Sequence, residues 1–173
     1  MKPRHTIAEL NTLSSDEFVR LIGPVFEHSA WIAEESWSKR PFSGLDKLHL
    51  RLCETVRTAG PDKQLALIRA HPDLVGKASL AGALTAASNS EQASAGLNQL
   101  TPDEIAAFQK FNQAYREKFG FPFVICARLN KKAAILNGSH IRLNNSREQE
   151  IQTALEEIFK IARLRLEDIV ESA

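Results

Sequence analysis

Long apolar runs, paired cysteines and an excess of charge of either sign are all scarce in this chain. No stretch approaches the roughly 18 consecutive apolar residues of a membrane span, which argues against a helical membrane protein. Cysteine occurs twice, as Cys53 and Cys126. The two stand far apart with no CxxC spacing, so reduced core thiols are expected rather than a disulfide framework. Twenty-two Lys and Arg against 21 Asp and Glu leave a net charge of +1. That balance gives neither the basic footprint of a nucleic-acid binder nor an acidic tail. No HExxH, no pair of histidines at helical spacing and no Cys cluster offers a metal site. Leu80-Ala81-Gly82 and its neighbours show neither Walker nor GxGxxG order, so a phosphate cradle is unsupported. Met1 to Thr6 is followed by no hydrophobic h-region, and the Glu171-Ser172-Ala173 end is not a Ser-Lys-Leu address. The expectation is a soluble cytoplasmic protein with neither a membrane nor a nucleic acid as partner.

What the chain does have is dense helix punctuation. Ser14-Ser15-Asp16-Glu17 is a capping box ahead of Phe18, Val19, Leu21 and Ile22, which share one apolar face. Gly23-Pro24 interrupts it, and a helical pattern resumes over 25–37. Leu45, Leu48, Leu52 and Val56 recur at helical spacing, and 62–69 reads as a short helix leading to His71. The stretch 74–100 is rich in Ala, Gly and Ser and reads as short helices and turns, with Ser88 or Ser90 near the start of the one bearing Glu91 and Gln92. Thr101-Pro102-Asp103-Glu104 is a strong helix start, and Gly120 and Pro122 stop that helix. Residues 123–127 are strand-like, and extended coil or a buried first turn fits them equally. Ser146 to Gln149 caps a last long helix with an apolar stripe through Ile151, Leu155, Ile158, Ala162 and Leu166. No repeat, low-complexity tract or parting linker is present. The pattern predicts an all-α, single-domain bundle of about eight helices with short loops, spanning 1–173. Such a length buries a sizeable core without staples.

Three motifs carry the candidate chemistry: His71-Pro72-Asp73-Leu74, Ser88-Asn89-Ser90-Glu91-Gln92, and the run from Phe119 through Gly120-Phe121-Pro122-Phe123 to Arg128. The residue before a proline is biased away from the helical region, so His71 is expected at a helix end, projecting into a cleft. An imidazole titrates near neutrality and suits proton donation and acceptance. His5, His28, His49 and His140 read as surface or helix decoration. Taken alone, Glu91 is an ordinary helix-start carboxylate, Gln92 an unremarkable amide and the Phe121–Cys126 run plain core.

The runs His71 to Leu74, Ser90 to Leu97 and Lys118 to Val124, in that order, resemble the 2-oxo-4-hydroxy-4-carboxy-5-ureidoimidazoline (OHCU) decarboxylase family. The resemblance extends over most of the chain, about 14–170. It implies cofactor-independent loss of CO2 from OHCU to give S-allantoin, the third step from urate. It makes His71 the catalytic histidine, Glu91 its partner and Gln92 a substrate ligand. Pro72 and Ser88 join them as contacts, with Ser90 able to fill the part of Ser88. It also presents the backbone N–H and C=O groups of Phe123, Val124, Ile125 and Cys126 to a flat ureide. Arg165 matches the substrate-anchoring arginine by position, with Arg142 an alternative; a guanidinium holds a carboxylate in two-point fashion. A homodimer is implied, with Trp31 or Trp37 available to an interface. The competing reading is a non-catalytic helical ligand-binding or interaction domain.

Overall fold

The computed structural model describes residues 4–77 and 81–171, which group into two compact units, 1–70 with 159–173 and 71–158. Among the described residues there are nine α-helices and no strand beyond an isolated bridge between His5 and Val170. The all-α expectation holds. None of these helices is long and apolar enough to cross a membrane.

The first unit contains α1 (Ile7–Thr12), α2 (Ser15–Ile22), α3 (Trp31–Trp37), α4 (Leu45–Thr58), α5 (Pro61–Ala70) and the latter part of α9 (Arg147–Ile169). Thr6 and Ser14 each close a reciprocal capping box, which satisfies two otherwise orphaned N–H groups at each helix start. Phe18 and Ile22 of α2, Leu48 and Leu52 of α4 and Leu166 of α9 are fully buried. Each such side chain contributes roughly 1.5–3 kcal/mol from apolar burial. The helix expected over 25–37 is broken: Gly23–Val25 forms a 3-10 turn, His28 sits at φ 45°, and regular helix starts only at Trp31. A left-handed residue cannot continue an α-helix, and its place is set by the burial of Val25 and Phe26 on one side and Ile32 on the other.

His49 differs from its expected place on the surface. It is part-buried on α4, and its Nε2 lies 2.8 Å from the Phe159 carbonyl and 3.4 Å from Cys53 Sγ. Since a carbonyl only accepts, Nε2 carries the proton and donates. Burial, opposed by that hydrogen bond, holds the imidazole below its usual pKa. A depressed histidine pKa means that the unfolded chain takes up the proton first. Stability is therefore full above the unfolded pKa of about 6.5 and falls as pH drops through it. Between about pH 8 and about pH 5 the melting temperature of the wild type should drop more than that of His49→Gln, which keeps an N–H donor without a titration. Parallel pH profiles of the two melts would show that His49 carries no such linkage.

The second unit holds α6 (Ala86–Ser94), α7 (Pro102–Phe119), α8 (Lys132–Arg142) and the first part of α9. The Thr101 capping box starts α7 as expected, and Gly120 ends it at φ 78° with its N–H on the Arg116 carbonyl. That left-handed residue at the helix end costs glycine nothing and a side chain about 1 kcal/mol or more. Along α7, Phe108, Phe111, Asn112, Tyr115 and Phe119 form one buried stripe at helical spacing. On it converge both the loop that follows α5 and the extended segment that follows α7.

Candidate functional site

His71 is the first residue past α5, where Pro72 turns the chain out of the helix. Its side chain is buried, 6 % exposed. The loop it opens is fastened at three successive residues. Asp73 takes Arg116 Nε at 3.0 Å from both carboxylate oxygens. The Leu74 carbonyl accepts from Asn112 Nδ2 at 2.8 Å. The Val75 N–H donates to Gln92 Oε1 at 3.3 Å. Val75 itself sits at φ 53°, an outlier for a β-branched residue. Gly76 closes the loop, because a Cβ there would come within 2.7 Å of Asp73 Cβ. The three side chains hold a backbone that would not choose this shape alone.

The helix α6 supplies the second motif. Its cap is Thr85, whose hydroxyl accepts from the Ser88 N–H at 3.2 Å. Ser88 and Gln92, four residues apart and so on one face, are both buried at 5 %, while Glu91 is half-buried. Ser90, the expected alternative to Ser88, faces solvent together with Asn89. The Gln92–Val75 bond thus joins the face of the second motif to the loop of the first.

Past Phe119, which ends α7, the third motif is neither strand nor helix until a 3-10 turn at Ala127–Leu129. Phe121, Phe123 and Val124 are buried. The Phe123 ring meets Phe111 edge-on at 5.0 Å and Tyr115 at 5.4 Å. Part of the backbone that follows is hydrogen-bonded within the chain. The Cys126 N–H donates to Glu157 Oε2 at 2.8 Å, and its carbonyl accepts from Asn130 Nδ2 and the Leu129 N–H. The Cys126 amide is thus held from within the chain. Val124 gives its carbonyl to Arg142 at 2.6 Å. Among the described residues, the Phe123 and Ile125 backbones and the Val124 N–H have no hydrogen-bond partner.

The two candidate anchors lie in different units. Arg142 belongs to the second, where its guanidinium is spent on Glu150 and Val124. Arg165 belongs to the first, buried at 7 %, with Glu27 Oε2 at 2.9 Å and the Val25 carbonyl at 3.4 Å. Its neighbour Arg163 is paired with Glu167 and Asp46, both of which hold its pKa up. Asn112, Arg116, Glu27 and Glu157 escape sequence reading altogether. Each is an ordinary polar residue whose partner is far away in the chain.

A family profile described as OHCU decarboxylase matches residues 11–167. The chain is similar to the 2-oxo-4-hydroxy-4-carboxy-5-ureidoimidazoline decarboxylase of Halalkalicoccus jeotgali, 42% identical over 166 residues, covering 96% of this chain and 92% of that protein. Among solved structures, that of an (S)-allantoin synthase is similar with a TM-score of 0.76 and 29% identity. The match takes in 96% of this chain but spans about half, 54%, of that one. A crystal structure of an OHCU decarboxylase in the presence of (S)-allantoin is similar in fold, with a TM-score of 0.67 at 23% identity, over 88% of this chain and 96% of that one. The matched span takes in all three motifs, and on these grounds the chain belongs to the OHCU decarboxylase family.

Proposed function

We propose that this protein decarboxylates OHCU to (S)-allantoin and CO2 in urate degradation, with His71 as its proton-handling group. The observation that carries this reading is the family match across all three motifs, two of which contribute buried polar side chains (His71, Ser88, Gln92) linked through the Val75 loop. OHCU bears its carboxylate and a hydroxyl on one ring carbon, next to an imine carbon that carries the ureide. When the C–CO2 bond breaks, its electron pair forms a double bond to the imine carbon. The imine π pair moves to nitrogen, which takes a proton. The substrate thus supplies its own electron sink. The resulting enol gives up its hydroxyl proton as the former imine carbon receives one on a single face, which fixes the S configuration. The net change is one proton taken up and one CO2 released.

Each residue has a place in that sequence. His71 moves the hydroxyl proton and delivers the proton to carbon. Glu91 holds the hydroxyl and orients His71. Gln92, Ser88 and Pro72 hold the ureide together with the backbone of Phe123, Val124 and Ile125, and Arg165 anchors the carboxylate. General acid–base action of this kind supplies ~10²–10⁴-fold. The remainder comes from fixed dipoles and the exclusion of water. Assembly as a homodimer, on the strength of the family resemblance, and a cytoplasmic location, on the composition of the chain, belong to the same proposal.

The test is to feed urate through a urate oxidase and a hydroxyisourate hydrolase and follow circular dichroism with this protein added. Rapid growth of a single-handed allantoin signal is expected. A slow drift to racemic, optically silent product, matching the control without protein, overturns the proposal.

A further inference from the structure

Glu150 is fully buried, at 0 % exposure, in the second unit, and its carboxylate is completely surrounded by donors. It accepts from the Tyr115 phenol, from Arg142 Nε at 2.9 Å and from Asn145 Nδ2 at 2.7 Å, with Arg142 Nη2 also 2.8 Å away. Burial and that carboxylate push the Tyr115 pKa well up, so the phenol remains a donor. A buried ion pair of this kind is a poor device for stability, because desolvation offsets most of the attraction. What it does accomplish is to aim the rest of the Arg142 guanidinium. One edge donates to the Val124 carbonyl at 2.6 Å, and the plane lies 4.3 Å from the Phe123 ring centre. Downstream, Glu157 takes the Cys126 N–H at 2.8 Å.

These two contacts act on the two peptide planes that flank a single residue. The Val124 carbonyl and the Ile125 N–H belong to one planar trans amide, so they point in opposite directions. Holding the carbonyl toward Arg142 turns the Ile125 N–H away from it. The Ile125 carbonyl and the Cys126 N–H share the next plane. Holding that N–H toward Glu157 turns the Ile125 carbonyl away from the carboxylate. We infer that Arg142, aimed by Glu150, and Glu157 are positioning residues that fix the Ile125 N–H and C=O as a donor–acceptor pair for the ureide of the substrate. The inference rests on the decarboxylase reading given above and adds to it the means by which an unpaired stretch of backbone keeps a single orientation.

Glu157→Leu removes an acceptor from a half-buried position on α9, where folding should survive, and Arg142→Lys keeps the charge but cannot serve Glu150 and Val124 as a fork. Each should raise KM by roughly tenfold, the worth of one well-aligned hydrogen bond, with a smaller change in kcat. Each should also lower the enantiomeric excess of allantoin measured at saturating enzyme, because a ureide free to turn exposes both faces to the proton. Glu157→Gln retains an acceptor oxygen and should behave like wild type. A residue important only for folding would lower the melting temperature and the active fraction while leaving KM and product handedness untouched, and that outcome in Glu157→Leu overturns the inference. Wild-type protein that gave no single-handed product at all would overturn the decarboxylase reading instead, so the two failures are distinguishable.

Discussion

His71→Asn is expected to cut turnover by about 10²–10⁴-fold, the range supplied by a positioned general acid or base. Asparagine approximates the shape and polarity of the imidazole but cannot exchange a proton near neutral pH. The loop around it depends on Asp73, Leu74 and Val75, all held from α6 and α7 and none through the His71 ring in those contacts. The melting temperature is followed alongside, so that lost turnover in a folded variant is separated from lost folding. Circular dichroism of the coupled urate reaction at saturating substrate is the measurement. Near wild-type turnover with (S)-allantoin still formed would remove His71 from the proton-transfer step. Gln92 would make a less clean probe, since its Oε1 also carries the Val75 N–H. Its loss disturbs the histidine loop as well as any contact with substrate.

The second large effect is on stability. Arg165→Met leaves the Glu27 carboxylate, 4 % exposed, without the guanidinium 2.9 Å from it. Removing one member of a buried pair costs about 3–5 kcal/mol, because the remaining charge keeps its desolvation penalty. For a chain of this size that lowers the melting temperature by about 10 °C. The double variant Glu27→Gln/Arg165→Met removes both charges and should recover most of the loss. The pair of variants also separates two duties assigned to Arg165. If the arginine anchors the substrate carboxylate, the double variant regains stability while KM stays raised. A double variant with wild-type KM would show that Arg165 serves Glu27 alone. An unchanged melting temperature in the single variant would show that the carboxylate finds full compensation elsewhere.

Helix starts were legible in the sequence because a cap is a local device. Ser14 with Glu17, Thr101 with Glu104 and Ser146 with Gln149 each bond within three residues, and all three form as expected. Thr85 was not seen as a cap, since the Ser-rich run after it offers equally good candidates and only the fold chooses among them. The interruption at His28 was hidden for a related reason: its apolar neighbours suit helix and turn alike. The division between Ala70 and His71 carries no linker composition at all. Of the candidate site, the motifs were legible and their supports were not. Asp73 meets Arg116 across 43 residues, Leu74 meets Asn112 across 38, and Tyr115 meets Glu150 across 35. Nothing in a polar residue's own neighbourhood announces a partner at that distance.

The helix α7 holds the histidine loop through Asn112 and Arg116 and the Phe123 segment through Phe111 and Tyr115. These four residues lie within two turns of one another, so the helix works as a gauge between the two segments that carry the first and third motifs. A single residue inserted between Asn112 and Tyr115 would advance everything beyond it by about 1.5 Å and rotate it by about 100°. Tyr115 would leave Glu150 and Arg116 would leave Asp73 while Asn112 stayed in place, and the two segments would fall out of phase. Changes of length that a surface loop would absorb are therefore barred from this short stretch, whatever the inserted residue.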